Sequence, residues 1–168
     1  MTFQCWVKAR QPPDFLSTVA MVSSLSSQYA GDVTPQEAWE TLNADPRAQL
    51  IDVRTFAEWN FVGLPDLSAL GRRVHCVEWQ TFPSGAPNAD FVELARAALA
   101  GAGVGADSPV LLLCRSGARS RAAAIALTGA GFERCFNVAQ GFEGDRDEQG
   151  HRGSAGGWKA AGLPWRQN

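Results

Sequence analysis

Several features are scarce in this 168-residue chain, and each scarcity excludes a class of function. Fifteen Lys and Arg stand against seventeen Asp and Glu, so the net charge of -2 provides no basic field to attract nucleic acid. The four cysteines are scattered without a Cys-x-x-Cys pair and there are only two histidines, which argues against both a zinc site and a disulfide scaffold. No apolar run approaches the roughly 20 residues that a membrane-spanning helix requires.

Apolar residues, in contrast, are sufficient for a hydrophobic core. They make up 45% of the chain against 19% charged residues, a balance that excludes a wholly disordered protein. A chain of this length fits one domain better than two. We therefore expect a single soluble domain in the cytoplasm, with no metal, cofactor, nucleic acid or membrane partner.

The first 30 residues differ from the rest of the chain. Pro12 and Pro13 break the segment, and a short apolar patch behind them fades into serines. A basic start before an apolar patch is also typical of a signal peptide, but Asp14 and the two prolines interrupt that pattern. We therefore expect residues 1–30 to form a poorly ordered or partner-contacting arm, and residues 31–168 to form the domain.

Beyond this arm the sequence predicts alternating strands and helices. Thr34 and Glu37 stand three residues apart ahead of a helical run, and so mark a capped helix start. The further predicted helices lie near residues 55–60, 91–103 and 121–132, and a short one begins at residue 157 and is stopped by Gly162 and Pro164. Strands are predicted at residues 50–53, 73–79, 109–113 and 135–138. This alternation is typical of an α/β domain with a largely parallel sheet.

The most informative segment is the turn that follows the apolar strand at residues 109–113. Cys114 ends that strand, Gly117 turns the chain, and a helix begins near Arg119. The first amides of a helix have no intrahelical partner, and together with Arg115 and Arg119 they favour an anion in the turn. A cysteine in this setting is expected to be substantially ionised and to act as a nucleophile without a separate general base.

The other cysteines have a simpler interpretation. A free cysteine is often a small core hydrophobe, and Cys76 and Cys135 each lie in an apolar strand with no glycine or basic loop behind it. We expect both of them to be structural. At Cys114 the charge, the turn and the helix start coincide, which favours a catalytic role.

Three ordered motifs resemble those of the rhodanese-like sulfurtransferases. The segment CRSGAR at residues 114–119 resembles the active-site loop of that family. LIDVRTFAEW at residues 50–59 resembles the first signature, and FNVAQGFEG at 136–144 with GWKAAGLPW at 157–165 resembles the C-terminal signature. The resemblance implies a rhodanese-like three-layer α/β domain, in which helices flank both faces of a five-stranded parallel sheet.

The same resemblance implies a reaction. Cys114 would take a sulfane sulfur from a small anionic donor such as thiosulfate, form a persulfide, and pass the sulfur to a thiol or to cyanide. The substrate-binding residues would be those of the loop itself: Arg115, Ser116, Gly117, Ala118 and Arg119. The alternative is a non-enzymatic carrier or interaction module of the same fold, fed by a protein persulfide.

The length of the loop separates this reaction from phosphatase or arsenate reductase chemistry. Those related proteins carry a seven-residue Cys-x5-Arg loop, whereas this chain has Cys-x4-Arg, with Ser120 at the position where the longer loop would need its arginine. The tighter ring suits a single sulfur atom on the cysteine better than a tetrahedral oxyanion. The loop therefore favours sulfur transfer.

Several other motif residues have predicted roles. By resemblance, Asp52 and Arg54 are scaffolding, and we expect Glu58 to pair with a nearby arginine. The family usually has Gly-His-Ile-Pro-Gly-Ala where this chain has GLPDL at residues 63–67, which leaves the geometry of that loop open. We expect Trp158 and Trp165 to pack in the core or at its edge, with a position beside the cleft as the alternative.

A glycine-rich, charged insertion occupies residues 142–157 and is expected to form a surface loop. It is longer than a minimal domain of this family needs. A solvated loop is the simpler interpretation, and the alternative is a segment that borders the cleft. In that case the candidate substrate contacts are Arg146, His151 and Arg152.

Overall fold

The computed structural model describes residues 28–167, and these form a three-layer α/β domain. The arm predicted for residues 1–30 lies almost wholly outside the described residues and stays a prediction. The strands are β1 (Gly31–Val33), β2 (Gln49–Asp52), β3 (Leu64–Pro65), β4 (His75–Cys76), β5 (Val110–Leu113), β6 (Cys135–Val138) and β7 (Trp165–Arg166). The α-helices are α1 (Pro35–Ala44), α2 (Phe56–Phe61), α3 (Phe91–Gly101), α4 (Ala118–Gly129) and α5 (Gly157–Ala160), with a 3-10 turn at Ser68–Leu70.

Five parallel strands form the central sheet in the order β1-β6-β5-β2-β4. The apolar run of β5 is buried on both faces: Val110 and Leu112 lie in one core cluster, and Leu111 and Leu113 lie in the other. Helices α3 and α4 cover the first face, and α1 and α5 cover the second. The predicted fold class is therefore confirmed, and β5 lies at the centre of the sheet.

Local sequence signals explain where the helices begin. The Thr34 hydroxyl accepts a hydrogen bond from the amide of Glu37, and the Thr34 amide donates one to the Glu37 carboxylate, so the predicted capping box is confirmed. Thr55 and Glu58 form the same box at the start of α2. Helix α4 begins at Ala118, close to the predicted start near Arg119, so its first turn adjoins the turn that follows β5.

Three regions differ from the strands predicted by sequence. The first is β1, an edge strand beside β6 that was not predicted. The strand predicted at residues 73–79 is reduced to β4, because it is an edge strand that pairs only with β2. The loop at residues 63–67, which departs from the family sequence, forms β3 and pairs antiparallel with β7. Gly63 precedes this pair with φ of +101°, and a Cβ there would lie 2.6 Å from the carbonyl oxygen of Arg166. The close approach of the two segments thus requires glycine.

Candidate active site

Cys114 follows β5 directly and is almost completely buried, with 1% of its surface exposed. Its sulfur lies 3.1 Å from the backbone nitrogen of Gly117 and 3.2 Å from the hydroxyl oxygen of Ser120. Gly117 has φ of +106°, a conformation that favours glycine and that turns its amide toward the sulfur. Both groups donate to Sγ, and hydrogen bonds of this kind stabilise a thiolate. A side chain at a central strand end, beside a helix start, occupies the usual ligand position of an α/β fold.

The segment after β6 fixes the backbone of the cysteine loop from outside. The amide of Phe142 donates to the carbonyl of Cys114 at 2.7 Å, and the amide of Glu143 donates to the carbonyl of Arg115 at 3.0 Å. Gly141 makes this approach possible, since a Cβ there would lie 2.3 Å from the Cys114 carbonyl oxygen. Because these two carbonyls are bound by the segment at residues 141–143, they are not available to face an anion at the cysteine.

Ser120 belongs to a buried chain of polar groups that sequence reasoning missed. Its hydroxyl oxygen lies 2.6 Å from Oδ1 of Asn137, and Nδ2 of Asn137 donates to the carboxylate of Asp32 at 2.8 Å. The outer end of the chain is the ion pair of Asp32 with Arg121 at 2.6 Å. A serine hydroxyl has a single proton, so it donates to one acceptor at a time among Sγ of Cys114, the carbonyl oxygen of Gly117 and Oδ1 of Asn137.

Arg119 ends the six-residue loop and makes a two-point ion pair with Glu58. Its two terminal nitrogens lie 2.8 and 2.7 Å from the carboxylate oxygens of Glu58, and both side chains are about four-fifths buried. The predicted pairing of Glu58 with an arginine is therefore confirmed. Burial alone would raise the pKa of Glu58, but the hydrogen bonds from Arg119 and from the Thr55 amide outweigh it and lower the pKa to about 2. The hydrogen bond with Glu58 likewise holds the pKa of Arg119 above its usual range.

A cleft of about 750 Å³ opens over the cysteine. Of the predicted binding residues, Arg115, Ser116, Ala118 and Arg119 line it, and the amide of Gly117 lies at the sulfur beneath it. The insertion contributes Glu143 and Arg152 to the lining, and the guanidinium of Arg152 donates to the carbonyl of Gly144. Arg146 and His151 do not line this cleft. Among the described residues, neither Arg115 nor Arg152 has an ion-pair partner.

Asp52 and Arg54 lie beneath the site and do not touch the cysteine loop through their side chains. They form a completely buried ion pair at 2.6 Å, and Arg54 also donates to the carbonyl of Gly63 at 2.7 Å. The guanidinium lies 4.1 Å from the ring centroid of Phe142. These contacts link the end of β2 to Gly63 and to Phe142. Asp52 and Arg54 therefore belong to the scaffold of the site.

The tryptophans pack as the simpler interpretation predicts. Trp158 is fully buried in the core, and its indole nitrogen donates to the carbonyl of Pro164 at 2.8 Å. Trp165 packs edge-on against Phe142 and contacts the ammonium of Lys159. Neither indole lines the cleft over the cysteine.

The two remaining described cysteines differ from each other. Cys135 is fully buried, as predicted, and burial raises the pKa of its thiol to about 11. The prediction that Cys76 is buried in an apolar strand is wrong, because β4 is an edge strand and leaves this residue exposed. Desolvation and the charge of Asp52 nevertheless raise the pKa of the Cys76 thiol to about 12. Neither thiol is suited to act as a nucleophile at neutral pH.

Residues 28–167 contain no group of three or more His, Cys, Asp or Glu side chains that would hold a metal ion. The same part of the chain contains no helix with the length and apolar character needed to cross a membrane.

Comparison with known proteins agrees with this fold. The family described as the rhodanese-like domain matches residues 34–148. The crystal structure of Rv0390 from M. tuberculosis is 51% identical, has a TM-score of 0.74, and is matched over 83% of this chain and 99% of that one. An uncharacterized protein from Rickettsia conorii is 32% identical over 134 residues, which cover 80% of this chain and 95% of that protein.

A more distant structure shares the fold. The polysulfide-sulfur transferase homodimer from Wolinella succinogenes is 22% identical, with a TM-score of 0.52 and coverage of 91% of this chain and 89% of that one. The five-stranded parallel sheet and a cysteine loop at its central strand define an α/β protein of the rhodanese type. The chain belongs to the rhodanese-like domain family, a family of sulfurtransferase type.

Proposed function

We propose that this protein is a sulfurtransferase that carries a sulfane sulfur as a persulfide on Cys114. The donor is a small anion such as thiosulfate, and the acceptor is a thiol or cyanide. The observation that carries the proposal is the position of Sγ, which receives hydrogen bonds from the Gly117 amide and the Ser120 hydroxyl at the base of an open cleft. Residues 114–119 form a six-residue Cys-x4-Arg loop, which is one residue shorter than the Cys-x5-Arg loop of the related oxyanion-binding proteins.

In the first half-reaction the Cys114 thiolate attacks the outer sulfur of thiosulfate. A new sulfur–sulfur bond forms, the sulfur–sulfur bond of thiosulfate breaks, and its electron pair leaves with sulfite. The negative charge then lies on the outer sulfur of the persulfide, among the amides at the start of α4. Arg115 and Arg152 draw the donor anion into the cleft.

In the second half-reaction an acceptor attacks the outer sulfur. When the acceptor is cyanide, a carbon–sulfur bond forms, thiocyanate leaves, and the electron pair of the persulfide bond returns to Cys114 as a thiolate. Arg119 acts as a positioning residue, because its charge is matched by Glu58 and its contact fixes the end of the loop. The three described cysteines are free thiols, as expected of a cytoplasmic protein, and a cellular thiol is the acceptor that such a compartment supplies.

Intact-mass spectrometry after incubation with thiosulfate tests the proposal. We expect the protein to gain one sulfur atom that cyanide removes, and Cys114→Ser to gain none. Cys135→Ser and Cys76→Ser are the matched controls and should gain the sulfur normally. An unmodified mass with thiosulfate, together with a gain from a persulfurated protein donor, would favour the carrier function over the enzyme. No gain from either donor would exclude both.

A further inference from the structure

A second groove lies beside helix α2 and shares no lining residue with the cleft over Cys114. Its volume is about 510 Å³, within the range of about 300–1,000 Å³ that is typical of ligand sites. Residues of α2, of β4 with the loop behind it, and of α3 form its walls. The proposed sulfur transfer does not use this groove, so its presence requires another explanation.

The groove has an exposed apolar surface. Phe56, at the start of α2, is 68% exposed, and Leu94, on α3, is 50% exposed. Trp59 and Ala98 extend this surface on the same two helices. Helix α2 has no buried residue, so the described part of the chain leaves it poorly covered. An occupant that covers Phe56 and Leu94 would remove apolar area from water.

Glu78 gives the groove a negative charge. It is the one charged residue of the lining, and within residues 28–167 it has no ion-pair partner. One of its carboxylate oxygens accepts a hydrogen bond from the Phe56 amide at 2.7 Å, which holds the carboxylate beside the apolar surface. The groove is therefore complementary to an occupant that combines apolar side chains with positive charge.

The edge of the central sheet indicates what kind of molecule this occupant is. Strand β4 contributes Cys76 to the groove, and among the described strands it pairs only with β2. The outer side of an edge strand presents backbone groups that pair readily with an extended segment of polypeptide. A polypeptide is thus favoured over a small molecule.

The chain itself contains a segment of matching composition, at residues 3–10, with the sequence FQCWVKAR. Phe3, Trp6 and Val7 are apolar, Lys8 and Arg10 are positively charged, and the segment has no acidic residue. It precedes the described part of the chain, which begins at residue 28. The segment thus supplies both properties that the groove requires.

The connection to the domain is long enough for this segment to reach the groove. Tyr29 packs against the core cluster on the α3 side of the sheet, as do Val77 and Ala98 of the groove. Strands β1 and β4 are the two edges of the sheet, about 19 Å apart at about 4.8 Å per strand. From Arg10 to Gln28 the chain has 18 peptide steps, which extend up to about 60 Å.

We propose that residues 3–10 dock in the second groove of their own chain, with their aromatic side chains against Phe56 and Leu94 and a basic side chain beside Glu78. Docking there would cover α2, the helix whose Glu58 holds Arg119 at the end of the cysteine loop. The segment would thereby brace the loop from the side opposite to its own core contacts. Such docking is independent of the proposed sulfur transfer.

A nitroxide spin label on Cys5 tests this docking in the full-length chain. The label is attached in a Cys114→Ser background, where Cys76 has a thiol pKa of about 12 and Cys135 is fully buried, and intact mass verifies a single label. In nitrogen-15 NMR spectra we expect the label to broaden the amide signals of Leu94 and Ala98. Signals near Phe82, in the other cleft, should stay sharp, and reduction of the nitroxide should restore all signals.

Variants of the groove then identify its apolar contact. Phe56→Ser should lower the ratio of docked to undocked segment about tenfold, the effect of losing one large apolar contact. Phe82→Ser is the matched control, because Phe82 is 69% exposed but does not line this groove. Both side chains are largely exposed, so both variants are expected to fold, and their undisturbed NMR spectra verify this.

Charge variants identify the ionic contact. Lys8→Glu combined with Arg10→Glu should lower the ratio of docked to undocked segment about fivefold, and added salt should weaken docking of the wild type. Glu78→Gln should act in the same direction. Glu93→Gln is its control, because Glu93 is an exposed residue of α3 outside the groove.

Three results would overturn the proposal. The first is broadening that is absent from the groove or is found only at the cleft over Cys114. The second is broadening that Phe56→Ser leaves unchanged. The third is broadening of nitrogen-15 protein by a spin label carried on separate, unenriched chains, which would assign the groove to the segment of a second copy. None of these measurements requires a persulfide, so the proposed sulfur transfer stands or falls separately.

Discussion

Glu58 and Arg119 are 61 residues apart in the chain, and their side chains meet in a two-point ion pair at 2.8 and 2.7 Å beside the cysteine loop. The same carboxylate caps α2 by accepting from the Thr55 amide at 2.9 Å. One side chain thus fixes both the start of α2 and the end of the active-site loop. This arrangement supports the proposal that Arg119 positions the loop, since its charge is already matched by Glu58.

Glu58→Gln tests that positioning role. Glutamine retains the capping geometry but removes the charge that Arg119 faces, so we expect kcat to fall about tenfold, with a smaller change in KM. The matched control is Glu37→Gln, because Glu37 caps α1 in the same manner without an arginine partner. Steady-state kinetics of both variants with thiosulfate and cyanide provide the measurement. Equal effects of the two substitutions would show that the ion pair has no part in catalysis.

The depressed pKa of Glu58 predicts a specific pH dependence of stability. Its pKa falls from 4.5 to about 2 on folding, so the carboxylate stabilises the folded state fully above pH 4.5. This contribution declines as the pH falls through the window from 4.5 to about 2. Urea unfolding of wild type and Glu58→Gln should therefore give free energies that differ at neutral pH, with a difference that shrinks as the pH falls below 4.5 toward about 2. A difference that stays constant over that range would refute the assignment.

Ser120→Ala is expected to weaken the nucleophile. The hydroxyl is one of the two groups that donate to Sγ, and a net hydrogen bond contributes about 1 kcal/mol, so alkylation of Cys114 at neutral pH should slow about fivefold. Ser108→Ala, a buried serine ahead of β5, is the control for loss of packing and should leave the alkylation rate close to that of the wild type. Equal rates for Ser120→Ala and Ser108→Ala would count against the role.

The fold could be predicted because its signals are local. The Thr34 capping box and the apolar run of β5 are short patterns, and the structure confirms both of them. Alternation of strands and helices then leaves few arrangements besides a parallel sheet. Edge position is not local, which is why the exposure of Cys76 was not predicted: a two-residue strand carries no sign of which neighbour it lacks.

The candidate site could be predicted only in part, for the same physical reason. The cysteine, the glycine and the arginines of the loop are contiguous, so their convergence is visible in the sequence. The partners of the loop are distant: Asn137 is 17 residues from Ser120, and Glu58 is 61 residues from Arg119. Such pairs form only after the sheet brings three strand ends together. Ser120 directly follows CRSGAR in the sequence. That position beside the loop is the signal from which its contact with the cysteine could have been predicted.

Arg152 is expected to attract the donor anion. It reaches the cleft from the insertion, and removing one charge at a solvated site changes an interaction by about 1 kcal/mol, or roughly fivefold. Arg152→Met should therefore raise KM for thiosulfate about fivefold at low ionic strength with kcat nearly unchanged, and added salt should reduce the difference. Arg146→Met is the matched control from the same loop outside the cleft. Equal KM values for the Arg152→Met and Arg146→Met variants would show that Arg152 does not contribute to binding of the donor.

Cys114 and Cys76 should differ in reactivity for a reason other than accessibility. Cys76 is exposed and Cys114 is almost completely buried, yet the pKa of the Cys76 thiol is about 12, while Cys114 receives two hydrogen bonds that stabilise its thiolate. Because the thiolate is the reactive form, iodoacetamide at pH 7 should modify Cys114 at least about tenfold faster than Cys76. Peptide mapping in a Cys5→Ser background measures both rates. Faster modification of Cys76 would show that the exposure of a thiol controls its alkylation rate more than the hydrogen bonds it receives. That result would contradict the proposal that the loop makes Cys114 the nucleophile.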